Sequence, residues 1–166
     1  MENQLDVTDI INSINKILQE FIQTQWDEND LLYDVYCSFD YEEVQNAFEN
    51  INNNKIDNKP VIHLWENPIN NDKKTKFHTG NKGERLLCSY DIFIVINENF
   101  ESSKKRKILL NELASKLKYK FDNYSYQMNM FKDVNINVSN GILNENSNNL
   151  YAIQQQLSFE IYKELK

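Results

Sequence analysis

The chain has 166 residues, 40% of them hydrophobic and 12% aromatic, and carries a formal net charge of −7. That is the length of one domain with enough apolar content for a core, spanning residues 1–166 without a linker. The negative charge excludes a protein whose whole surface binds nucleic acid, because neutralising phosphates takes many clustered cations.

The first residues, MENQLDVTD, lack the basic start and apolar core of a signal peptide, and a cytosolic site of synthesis is expected. Ile10, Ile11, Ile14, Ile17, Leu18, Phe21 and Ile22 then recur at spacings of three and four, which predicts a helix over Thr8 to Trp26 packed on a sheet. Leu31 to Phe39 alternates and predicts a strand. Asp40 and Glu43 have capping-box spacing, and Val44, Ala47, Phe48 and Ile51 give the short helix after it one apolar face. That helix dissolves in an Asn-rich tract.

Lys59-Pro60 opens a strand from Val61 to Trp65. Glu66 to Glu84 has no periodicity and contains Pro68, Gly80 and Gly83, so it reads as a long projecting connection. Arg85 to Asn97, RLLCSYDIFIVIN, is the longest strand-like run. Leu86, Cys88, Tyr90, Ile92, Ile94 and Ile96 form an unbroken apolar face, while the other parity is polar at its start and apolar later, as if a helix covered one end. This strand reads as the spine of the sheet. A helix follows over Ser103 to Asn123, with Ser102 or Ser103 as cap, burying Ile108, Leu109, Leu113, Leu117 and Phe121. Val134, Ile136 and Val138 alternate before the turn dipeptide Asn140-Gly141. Asn144 to Asn149 reads as a polar loop, and Tyr151 to Tyr162 as a final strand with one apolar and one polar face. The order predicts an α+β fold: an antiparallel or mixed sheet with helices packed mainly on one face.

The chain offers little chemistry. His63, on a strand, and His78, in the long connection, are the only histidines and have no metal-ligand spacing. Cys37 and Cys88 fall in strand-like runs and read as buried free thiols of a reducing compartment. Asp91 interrupts an apolar stretch and could serve a metal-dependent nuclease, but no Glu-x-Lys follows on a neighbouring strand; the blander reading is a solvated Asp. Gly80-Asn81-Lys82-Gly83 has the GxxG pattern of a backbone clamp but precedes a strand rather than joining helices. Catalytic, cofactor-binding and metal residues are therefore all expected to be absent. Two basic clusters stand out as candidate partner-binding residues: Lys73, Lys74, Lys76, His78 and Lys82 in the connection, and Lys104, Lys105, Arg106 and Lys107 at the start of a helix, where cations oppose the helix dipole.

The order of elements carries a resemblance. It comprises the N-terminal amphipathic helix, a strand ending in Trp65-Glu-Asn-Pro68, a long loop and the extended strand Arg85 to Asn97. The helix containing Leu110 to Leu117, the run Val134-Asn-Ile-Asn-Val-Ser-Asn-Gly141 and the amphipathic strand Leu150 to Tyr162 complete it. In this it resembles the tail terminator, or tail-completion (neck), proteins of long-tailed bacteriophages, although Leu31 to Phe39 and the short helix after it are additions to the simpler members. The resemblance implies a structural virion protein with no enzymatic activity and no cofactor. It also implies a homohexameric ring, assembled in the host cytoplasm, that caps the tail tube and joins the tail to the head–neck connector. Implied partners are other copies of the chain, the tail tube, sheath and head–tail connector proteins, and transiently the DNA in the lumen, with no membrane. A head–tail adaptor or tail-tube subunit of the same particle, and a small nuclease using Asp91, are the alternatives.

Overall fold

A computed structural model describes residues 7–55, 57–72, 83–97, 99–100, 102–128, 137–139, 141–145 and 150–164. The fold is α+β. Three helices, α1 (Val7–Thr24), α2 (Tyr41–Asn52) and α3 (Ser103–Tyr124), accompany seven strands. The strands are β1 (Tyr36–Ser38), β2 (Val61–Glu66), β3 (Asn70–Asp72), β4 (Gly83–Asn97), β5 (Asn137–Val138), β6 (Ile142–Glu145) and β7 (Leu150–Glu164). They form one mixed sheet in the order β1-β2-β4-β7-β5, with β3 also on β4 and β6 also on β7. Among the described residues, only the β1–β2 pair is parallel.

The spine is β4. It pairs with β7 over all fifteen residues, from Gly83 opposite Glu164 to Asn97 opposite Leu150. The parity that is apolar throughout, Leu86 to Ile96, is buried at every position. It meets Ile62 and Leu64 of β2 and Ile153, Leu157 and Phe159 of β7 in the main core. Two helices close this inner face. From α1 come Ile14, Leu18, Phe21 and Ile22; from α3 come Leu110, Leu113, Ala114, Leu117 and Phe121. Each of the Ile, Leu and Phe side chains contributes about 1.5–3 kcal/mol when fully removed from water. On α1, Gln19 also donates from Nε2 to the Cys37 carbonyl (2.7 Å), tying the helix to the short edge strand β1.

The outer face of the sheet is covered only in part. Val44, Ala47, Phe48 and Ile51 of α2 pack on Val61 and its cross-strand partner Val95. The apolar end of β4's second parity is thus the end beneath α2. The cap Asp40 accepts from the backbone N–H groups of Glu42 (2.8 Å) and Glu43 (3.4 Å).

Several expectations are corrected. Leu31 to Asp34 is not strand but a run of turns, with Asp30 Oδ1 accepting from Leu32 N (3.0 Å), Val35 N donating to Leu32 O (3.0 Å) and Asp34 at φ 55°. Leu32 and Val35, three residues apart, are both buried while Tyr33 is exposed, a turn spacing and not a strand's alternation. The long connection is not wholly irregular. After β2, residues Asn67, Pro68 and Ile69 oppose only Cys88 and Ser89, a bulge, and β3 then continues along the same edge of β4. The same device recurs on β7, where β6 follows β5 in the same direction, so Asn140-Gly141 does not reverse the chain. There a Cβ on Gly141 would lie 2.3 Å from Ile153 Cδ1 and 3.3 Å from Ala114 Cβ, an approach only glycine permits. The strand pattern at Ile142 to Glu145 also shortens the expected polar loop. On α3, Leu110 is buried and Ile108 is exposed, because Ile108 lies far around the helix from Leu113 and Leu117. Ser102 sits at the N-cap but its side chain makes no capping bond. Val134 and Ile136 lie outside the described residues.

Candidate functional site

The two basic clusters border opposite ends of β4 in the sequence, and only the second lies among the described residues. The segment 73–82, with Lys73, Lys74, Lys76, His78 and Lys82, lies outside the described residues, between the ends of β3 and β4 where Asp72 pairs with Arg85. The α3 cluster follows the opposite end of β4, a strand on the order of 45 Å long at the usual rise. Within that cluster the side chains divide. Lys104, Lys105 and Lys107 are exposed, whereas Arg106 is 9% exposed. Its guanidinium lies 4.1 Å from the centroid of the Tyr151 ring, donates to the Tyr151 hydroxyl (2.9 Å), and reaches the Phe100 carbonyl (3.4 Å). Arg106 therefore fastens the start of α3 to β7, a packed role rather than an outward one.

The surface that sequence reasoning missed is the uncovered part of the outer face. Alternation along β2 places His63 and Trp65 on the same side as Val61, and the register sets His63 opposite Phe93 and Trp65 opposite Asp91. The His63 ring stacks on Phe93 at 6.1 Å, meets Trp65 edge-on at 6.3 Å, and meets Tyr41, from the first turn of α2, at 5.9 Å. Tyr41 and Trp65 are 59% and 55% exposed. Around this aromatic strip the chemistry is polar. Asp91 accepts from Asn67 Nδ2 (3.2 Å), and Ser89 Oγ accepts from Gln156 Nε2 (3.0 Å). Glu43 Oε2 accepts from the Ser38 hydroxyl (2.7 Å) and from the Tyr36 hydroxyl (3.3 Å). Tyr36 has its pKa raised, first by burial and then by the charge of Glu43. The His63 pKa is lowered by burial, against the opposing pull of the Ser38 carbonyl, 3.3 Å from Nδ1, and of Asp40. His63 is thus a neutral, partnered member of the strip.

Charge separates across the sheet. On the outer face α2 carries Glu42, Glu43 and Glu49 and no cation. On the inner layer α3 carries seven cations against Glu112 and Asp122, a net of +5. The outward face of α3 also shows Ile108 (51% exposed) and Tyr119 (56% exposed). Beside Tyr119, a shallow hollow of about 400 Å³ is lined by Trp26, Asp30, Ser115, Lys116, Tyr119 and Lys120.

The thiols are remote from both surfaces. Cys37 and Cys88 are buried and free, in the core. Burial pushes the Cys37 pKa up to about 12; burial, aided by the charge of Glu66, pushes Cys88 up to about 11. Such groups are poor nucleophiles. Among the described residues, no three His, Cys, Asp or Glu side chains are grouped closely enough to hold a metal ion. No described helix is long and apolar enough to cross a membrane. No protein-family model matches the chain, and no curated protein matches it either.

Proposed function

We propose that the chain is a structural virion protein of the tail-terminator kind, in which copies assemble as a homohexameric ring that caps a tail tube and joins the tail to the head–neck connector. The observation that carries this reading is the two-sided sheet. One face is closed beneath α1 and α3, and the other is left open around Tyr41, His63, Trp65 and Phe93. Exposed aromatic side chains of this kind are the usual anchors of protein interfaces. The fifteen-residue pairing of β4 with β7 supplies the rigid frame such a role needs.

In this reading the chain has no enzymatic activity, and it acts in the tail or neck of a particle assembled in the host cytoplasm. In the same reading, the basic residues Lys73, Lys74, Lys76, His78 and Lys82 bind an acidic neighbour: tube, sheath, connector, or the DNA passing through the lumen. The test is electron microscopy of purified tail tubes incubated with the labelled chain. Density confined to one end of the tube supports the reading. A chain that never associates with tubes overturns it.

A further inference from the structure

We infer that copies of the chain dock head to tail, with the outward face of α3 from one copy seated on the open outer face of the next. This contact rests on the ring reading and says which two surfaces of the chain form it.

Two observations favour a second copy over an unrelated occupant. The two surfaces lie on opposite sides of the same sheet and carry opposite charge, three carboxylates on α2 against six lysines, Glu112 and Asp122 on α3, with Arg106 turned inward. Complementary potentials of this kind steer association and fix its register. Their chemistry also corresponds. The outer face offers protruding rings, Tyr41 and Trp65, beside Asp40 and Glu42. The α3 side offers lysines around Ile108 and Tyr119, and the hollow between Trp26 and Lys116. A Trp65 ring entering that hollow meets an apolar wall and the ammonium of Lys120, which already lies over Trp26 (5.8 Å) and Tyr124 (5.0 Å), while Lys116 is held by Asp30 (3.1 Å). The two patches are different surfaces of one chain, so the contact is heterologous. Repeated, it closes into a ring or runs on as a filament, and it cannot stop at a symmetric dimer.

The experiment uses two charge-reversed forms of the full chain. One carries Glu42→Lys and Glu49→Lys; the other carries Lys104→Glu, Lys116→Glu and Lys120→Glu. Each is measured alone and mixed by sedimentation velocity at low salt. The wild-type chain is expected to associate, and to dissociate as salt rises. Each variant alone, with like charges on both surfaces, is expected to associate at least tenfold more weakly. An equimolar mixture recovers association, because each α3 then meets an α2 of opposite sign. Trp65→Ala, at an exposed position, is expected to weaken association with an unchanged melting temperature, and it decides the question if a reversed variant fails to fold. Wild-type association that neither the reversals nor Trp65→Ala weaken overturns this contact and leaves the ring reading standing. A wild-type chain that is monomeric at every concentration and salt, alone and with tail tubes, overturns both.

Discussion

Gly141 is the position at which the fold can be tested most sharply by a single atom. The residue lies in the bulge between β5 and β6, where the chain passes under α3. A Cβ placed there falls 2.3 Å from Ile153 Cδ1, 2.5 Å from Ile153 Cγ1 and 3.3 Å from Ala114 Cβ. Ile153 is 0% exposed, so its side chain has no solvent to turn into. The Gly141 backbone is not left-handed, so Gly141→Ala is not strained by conformation, and the lost unfolded-state freedom favours alanine by about 0.4–1 kcal/mol. Overpacking opposes it by about 1–3 kcal/mol. The net expectation is destabilisation of about 1–2 kcal/mol, a fall in Tm on the order of 2–8 °C for a domain of this size. Ile153→Val removes the nearer clashing atom and costs about 0.5–1.5 kcal/mol alone. In the double variant the two costs should sum to less than their separate values, because the valine makes room for the new methyl. Urea unfolding of the four proteins measures this cycle. A neutral Gly141→Ala, or strictly additive costs, would refute the close approach of Gly141 to Ile153 of β7.

Three further outcomes follow from particular groups. Asp40→Ala removes both bonds that cap α2 and should cost about 1 kcal/mol by urea unfolding, with Asp40→Asn nearly neutral. Because the folded-state pKa of His63 is lowered, its neutral form is favoured by folding. The corresponding stability is complete above the unfolded value near 6.5 and is lost as pH falls through that value toward the folded one. Melting curves between pH 8 and about 5 should show this loss, and His63→Phe should remove that part of the slope. With pKa values raised to about 12 and about 11, Cys37 and Cys88 should resist a thiol reagent at pH 8 in the folded chain and both react once the chain is unfolded in urea.

What could be read from the residues was whatever followed a strict period. The apolar parity of β4 continues for six alternate positions, and all six are buried. Its second parity turns apolar only near Phe93 and Val95, and α2 covers the chain at Val95. Short or interrupted elements carried no such signal. β3 and β6 each follow a bulge, where three residues oppose two and the period is broken, so their pairing is visible only through the backbone. Leu31 to Asp34 alternates by composition while its hydrogen bonds close turns. Arg106 was grouped with its lysine neighbours by adjacency. Its spacing of four, seven and eleven residues from Leu110, Leu113 and Leu117 puts it on their buried stripe, which was a legible warning. The aromatic strip was hidden for a different reason. Tyr41, His63, Trp65 and Phe93 come from three elements, and only the register of β2 on β4 and the packing of α2 bring them together.

The central claim is that this chain works by assembling with itself at a tube end. Native mass spectrometry of the purified chain, at low salt and with tail tubes present, tests it most directly. Assemblies six times the 19.8 kDa subunit mass, recovered with the tubes, are predicted. A single species at the subunit mass under every condition would contradict it.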